Sequence, residues 1–233
     1  MVYITGDTHG DFARIKKFCK EHTTTTDDLM IILGDAGINF FGDKKDVWRK
    51  DAISQIPIKF LCIHGNHEMR PAKVSGYSLV DWHGGKVYLQ YEYPTIMFAK
   101  DGEIYNIAGY QCIAMGGAYS VDKFYRLQMD LPWFPDEQPS SEIKSYVENR
   151  LKARDWKVDV VLSHTVPFEY MPIDLFIPEI DQSTVDSTTE NWLSDIEIKL
   201  DYKWWYAGHF HTNRITERLQ IMYENIEPFM SFK

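Results

Sequence analysis

The chain has little cysteine. Cys19, Cys62 and Cys112 are odd in number and far apart, so they form neither a disulfide framework nor a CxxC zinc site. Buried, idle thiols are expected. Long apolar runs are missing too, because no stretch approaches the ~20 residues that cross a bilayer. Met1 to Gly10 carries Asp7 where a signal peptide needs unbroken apolar sequence. The expectation is a reducing cytoplasm with no membrane partner. Positive charge is in deficit: 25 Lys and Arg stand against 34 Asp and Glu, a formal net charge of -9. That balance opposes sequence-independent attachment to nucleic acid, which rests on a basic surplus. Internal repeats and low-complexity segments are also absent.

Aromatic residues are plentiful. The 14 tyrosines, 13 phenylalanines and 7 tryptophans can fill a substantial core, and 233 residues suit one domain spanning 1–233. Residues 2–5 read as a strand, Asp11 to Glu21 as an amphipathic helix, and Leu29 to Leu33 as a buried strand. Lys45 to Ile56 reads as a helix halted by Pro57, and Ile58 to Ile63 as a third strand. Alternating helices and nearly continuous apolar strands predict an α/β fold with parallel pairing. From Lys86 to Met115 short apolar segments predict hairpin strands in a second, largely antiparallel sheet. Asp101-Gly102 is the strongest two-residue turn signal there. Ala118 to Pro139, with charges, aromatics and three prolines, reads as an irregular excursion. Ser140 to Trp156 returns to helical spacing, with Ser141 and Lys144 as a cap signature. Val158 to Leu162 and Trp204 to Ala207 are further strands, and Arg214 to Tyr223 closes the second sheet.

The chemistry lies where apolar runs end. VYITGDTHG releases Asp7 and His9, MIILGDAG releases Asp35, and FLCIHGNHE releases Asn66, His67 and Glu68. VVLSHT ends at His164, and WWYAGHFH at His209 and His211. In open α/β sheets ligands bind beyond the carboxyl ends of strands. Carboxylate and imidazole without thiolate suit Mn, Fe, Zn, Co or Ni, and do not suit Ca or a structural zinc. Asp7, His9, Asp35, Asn66, His164, His209 and His211 are too many ligands for one such ion. Two ions sharing Asp35, about 3.5–4 Å apart, would use them all. Of the remaining histidines, His22 and His83 read as surface residues and His64 as core packing or a group behind the ligands. Glu68 reads as structural.

The ordered blocks GDTHG, GDAG, GNHE, SHT and GHFH, spanning residues 6–211, resemble the calcineurin-like metallophosphoesterase superfamily. The resemblance implies a four-layer α-β-β-α sandwich of two mixed sheets, with a dinuclear metal site at the strand C-terminal edge. It implies that Asp7, His9 and His211 hold one metal, Asn66, His164 and His209 the other, and that Asp35 bridges. Two divalent or trivalent transition-metal ions, Mn or Fe favoured, are the expected cofactors. The expected reaction is hydrolysis of a phosphomonoester or phosphodiester by in-line attack of a metal-bound hydroxide, with His67 protonating the leaving group. Many members carry a second aspartate where this chain has Ile38, and Asn39 or Asp43 are its possible substitutes. The arginine-bearing GDxxDRG form of Ser/Thr protein phosphatases is absent. Arg70 is either a substitute phosphate contact or a solvated loop residue, and Lys123 and Arg126 line the entrance or a solvated helix face. A metal-dependent binding or scaffolding protein with a vestigial site is the competing class, and Ile38 is the one feature that favours it.

Overall fold

The computed structural model describes residues 1–176, 178 and 180–231. Among them lie strands β1 (Val2–Thr5), β2 (Leu29–Ile32), β3 (Lys59–Cys62), β4 (Ser78–Trp82), β5 (Gly85–Leu89), β6 (Ile96–Ala99), β7 (Ile104–Ile107), β8 (Tyr110–Met115), β9 (Val160–Ser163), β10 (Trp204–Ala207), β11 (Arg214–Thr216), β12 (Leu219–Ile221) and β13 (Ile226–Pro228). The helices are α1 (Ala13–His22), α2 (Lys44–Ser54), α3 (Lys123–Gln128), α4 (Ser141–Lys152) and α5 (Thr188–Glu197). No described helix is long and apolar enough to cross a membrane.

One sheet has seven strands in the order β13-β1-β2-β3-β6-β5-β4, and the other has six in the order β11-β12-β10-β9-β8-β7. Both are mixed. Parallel pairs occupy each centre, and antiparallel strands close the edges. Because successive strand residues face opposite ways, each sheet buries two faces. Ile4, Ile31, Leu61, Val160 and Leu162 meet between the sheets. Tyr3, Met30, Ile32 and Phe60 face outward against Ile15 and Cys19 of α1 and Ile53 of α2. On the other side, Ile113, Val161 and Trp205 pack under Val147 and Leu151 of α4 and Leu193 and Ile196 of α5. Three apolar clusters thus separate four layers, as the α-β-β-α expectation requires.

The segment from Lys86 to Met115 departs from expectation. Its strands are shared out: β5 and β6 belong to the first sheet, with β6 parallel to β3, while β7 and β8 begin the second. Asp101-Gly102 therefore makes the crossover between sheets instead of a hairpin. The Asp101 carboxylate accepts from the Gly116 N–H at 2.7 Å and from Arg70 Nη1 at 2.7 Å, which braces the crossing. Two-residue hairpins lie at His83-Gly84 and Ala108-Gly109, where both residues of each pair have positive φ, as type I′ turns demand, and at Glu217-Arg218, where only Glu217 does. Helix α4 is capped by Ser140, whose Oγ accepts from the Ile143 N–H, and not by Ser141. Helix α5 and strands β4 and β13 lie in stretches where the sequence reading assigned no element.

Register places the site. Thr5 pairs with Ile32, and Ile32 with Cys62, so β1, β2 and β3 end level. Asp7, Asp35 and Asn66 leave the sheet along one edge. In the second sheet Trp204 pairs with Val160 and Tyr206 with Leu162, so the turns after β9 and β10 also leave side by side.

Candidate metal centre

The strand ends bring the predicted ligands together. His9 Nε2 lies 2.8 Å from His211 Nε2, and Asp7 Oδ2 lies 3.3 Å from His211 Nε2 and 3.8 Å from His9 Nε2. Asp35 Oδ2 stands 3.9 Å from His9 Nδ1 and 3.7 Å from His164 Nε2. Asn66 Oδ1 is 2.8 Å from His164 Nε2 and 3.1 Å from His209 Nδ1. Ligand bonds of about 2.1 Å set neighbouring donors roughly 3.0–3.4 Å apart around an ion. Among the described residues, two groups have ligand atoms mutually within 4.8 Å, Asp7 with His9 and His211, and Asp7 with Asp35 and His164. The first is the predicted triad. In the second, Asp7 joins Asp35 between the two halves.

Three observations fit this cradle to metal. Asp7 Oδ2 is buried with no hydrogen-bond partner, a costly state for a carboxylate oxygen unless a cation answers it. His9, Asp35, His209 and His211 all have positive φ, between 47° and 69°. Non-glycine residues in this left-handed region are strained, and such strain gathers at functional sites. The glycines before Asp35, Asn66 and His209 each leave room for another ligand: a Cβ on Gly34 would sit 2.0 Å from His164 Nδ1, one on Gly65 1.9 Å from Asp35 Oδ1, and one on Gly208 2.4 Å from Asp7 Oδ1.

The protein also sets the charge state of these groups. Burial alone would raise the Asp7 carboxyl, but His211, His164 and His9 outweigh it and hold the group well below the usual carboxylate range. Burial, reinforced by His164, keeps His209 neutral, the form that ligates metals. His164 Nδ1 donates to the Leu33 carbonyl at 2.8 Å, which turns Nε2 inward. Glu68 accepts from the Gly65 N–H at 3.1 Å. Burial, then Asp35, pushes its carboxyl up to about 8, as suits an internal brace between the second and third blocks.

The calcineurin-like phosphoesterase family model matches residues 1–213. The chain belongs to this family. Among solved structures, the Thermus thermophilus protein TT1561 is 11% identical, with a TM-score of 0.51 over 95% of this chain and 87% of that one. A second crystal structure is 14% identical, with a TM-score of 0.53 over 95% and 88%. The phosphopantetheinyl hydrolase of Mycobacterium tuberculosis is 16% identical, with a TM-score of 0.48 over 95% and 87%. At these identities the likeness is one of fold. The curated proteins gave no significant match.

Other side chains of this phosphoesterase-family chain lie where sequence did not direct attention. The Asn66 amide donates to Ser120 Oγ at 2.8 Å, and Ser120 Oγ donates to Glu137 Oε2 at 2.6 Å, which also accepts from Trp133 Nε1 at 2.8 Å. The excursion of residues 118–139, which includes α3, thereby orients Asn66. The His67 N–H donates to Asp35 Oδ1 at 2.8 Å. Burial lowers its imidazole, while Asp35 and Asp122 oppose that shift and Arg126 reinforces it. Ile38 is fully buried in the outer core of the first sheet. Asn39 exchanges hydrogen bonds with Tyr77, and Asp43 caps α2 by accepting from the Lys45 N–H at 2.7 Å, so both are committed elsewhere. Asp122 lines the same cavity as His67, and its buried Oδ1 has no partner.

Arg70 lies away from the convergent groups. It is buried, paired with Asp101 at 2.7 Å, and donates from Nε to the Asp136 carbonyl at 2.8 Å. The arginines beside His67 are Arg49 and Arg126, which line a cleft of about 280 Å³ with His9 and His67. Arg126 was visible as an entrance candidate. Nothing in the helical run DVWRKDA marks Arg49.

Proposed function

We propose that the chain is a dinuclear metal-dependent phosphoesterase acting on phosphomonoesters or phosphodiesters, with residues 1–233 as one catalytic domain. The supporting observation is the convergence of five strand ends on a buried carboxylate oxygen that makes no hydrogen bond of good geometry, its neighbours being His211 Nε2 at 3.3 Å and His9 Nε2 at 3.8 Å. In this reading Asp7, His9 and His211 hold one ion, and Asn66, His164 and His209 hold the second. Asp35 serves both, and Mn or Fe is favoured. The ions supply Lewis acidity toward phosphate oxygens and a water acidified toward neutral pH.

The chain's own groups do the rest. His67, fixed at its backbone by Asp35, protonates the leaving oxygen. Arg49 and Arg126, beside His67, offer guanidinium donors to the non-reacting phosphate oxygens. Ser120 and Glu137 keep the Asn66 oxygen turned inward. Three free, buried cysteines agree with action in a reducing cytoplasm.

Hydrolysis of p-nitrophenyl phosphate and its bis ester, measured beside metal content, tests the reading. Release that a chelator abolishes and Mn restores is expected. Two bound ions with no release from either ester would favour a binding or scaffolding role.

A further inference from the structure

The proposed metal centre opens into space of a different character. A cavity of about 970 Å³ has Asp35, Asn66, His67, His209 and His211 at one end. The rest of its wall is mostly apolar, interrupted by Asp122, Gln182, Ser187 and Glu190: Val121 comes from the excursion, Phe168, Met171 and Leu175 from the chain after β9, and Phe176 stacks on Phe210 with rings 13° from parallel. A phosphate group alone needs a small part of this volume, since pockets of about 300–1,000 Å³ enclose whole drug-sized ligands. Its described lining contains no lysine or arginine, and its acidic members are Asp35, Asp122 and Glu190. A polyphosphate or nucleic acid strand would meet no countercharge there. Arg49 and Arg126 line the small cleft at the other side of His67, and Arg214, beside the trough, is already neutralised by Asp174 through contacts of 2.8 and 2.7 Å. At the wide mouth, Ile173 and Leu175 are 72% and 49% exposed, an apolar rim of the kind that marks a binding surface.

Resting on the phosphoesterase reading, we infer that the substrate is an amphiphilic phosphoester. Its charged oxygens face Arg49 and Arg126, and an extended alkyl, acyl or aryl arm lies along the trough of Val121, Phe168, Met171, Leu175 and Phe210. His67 borders both spaces, so the phosphorus is reached with the arm already seated. Binding energy from that arm acts on the reaction at the far end.

The test is a homologous series of p-nitrophenyl alkyl phosphates, ethyl to octyl, with the Mn-loaded protein. Burying one methylene is worth about fourfold in kcat/KM from its transfer free energy, so a rise of twofold to fourfold per added carbon is expected. Leu175→Asp and Val121→Asp should flatten the octyl-to-ethyl ratio measured within each variant. Calorimetric titration with the matching alkylphosphonates should show affinity rising with chain length and a negative heat-capacity change. Ethyl ester hydrolysis with no dependence on chain length, in rate or in phosphonate affinity, overturns this inference and leaves the phosphoesterase reading intact. No hydrolysis of any ester, with phosphonate affinity still rising along the series, supports the trough and overturns the phosphoesterase reading. Failure of both readouts overturns both.

Discussion

The two ends of the same strands are built on opposite terms. At their amino ends, polar groups are answered locally: Asp159, just before β9, accepts from the Gln111 N–H at 2.8 Å and pairs with Lys203 Nζ at 2.7 Å, while its carbonyl accepts from the Lys203 and Trp204 N–H groups. At their carboxyl ends, imidazoles and carboxylates crowd together, four candidate ligands are strained, and Asp7 Oδ2 makes no hydrogen bond of good geometry. Folding stability alone selects the first arrangement. The second fits a group from outside the chain that completes it, which is why the proposed site lies at the carboxyl edge.

Substitutions at the two edges should therefore differ in kind, and those at the centre should cost most. Asp35→Asn is expected to lower turnover by more than the ~10²–10⁴ that one proton-transfer group contributes, because both ions are loosened. Metal analysis should find fewer than two ions per chain, and full retention of both would refute the bridge. His67→Asn comes next, with both ions kept and turnover down by about 10²–10⁴. The deficit should be smaller for p-nitrophenyl esters, whose leaving group needs little protonation, than for alkyl esters. Equal deficits would remove His67 from the proton-transfer role.

Sequence carried this contrast unevenly. The carboxyl-edge residues were legible because each block follows an apolar run, in four of the five cases through a glycine and at His164 directly after VVLS, and both signals are local. Sheet membership was not, since Asp101-Gly102 specifies a tight turn whether the next strand folds back or crosses to the other sheet. Strand β4, SLVDW, alternates half-buried and exposed positions and shows no apolar run, though His83-Gly84 after it was a readable turn. Helix α5 does carry a local signal, with Trp192, Leu193 and Ile196 at helical spacing. Ser120 and Glu137 were beyond sequence reasoning: Ser120 lies 54 positions from Asn66, and only the folded excursion joins them.

Two substitutions between the edges sharpen the comparison. Arg70 and Asp101 have side chains 10% and 11% exposed, and removing one member of a buried pair typically costs about 3–5 kcal/mol. Arg70→Ala should lower Tm in line with that loss while KM for p-nitrophenyl phosphate, measured well below Tm, stays unchanged. A raised KM with an unchanged Tm would return Arg70 to substrate binding. Ser120→Ala should act the other way round. Loss of a partner behind a metal ligand typically costs about 10–100-fold in metal affinity, so a chelator should strip this variant sooner while Tm moves little. Unchanged metal affinity would leave Asn66 without need of its brace.

The smallest effect belongs at the amino edge. The Gln111 N–H, then Lys203, holds the Asp159 carboxyl below its ordinary value of 3.8. A depressed carboxylate stabilises the fold above its ordinary pKa, and that contribution disappears as pH falls through the folded-state value. Asp159→Asn keeps an oxygen for the Gln111 N–H and removes only the charge. It should cost about 0.2–1 kcal/mol near neutral pH, the range of exposed pairs, and the gap from the parent should close in acid. Denaturant midpoints across pH, with metal content and turnover beside them, measure this directly. Loss of metal or turnover at an unchanged midpoint would mean that the amino edge communicates with the site, and the separation of the two edges would fail.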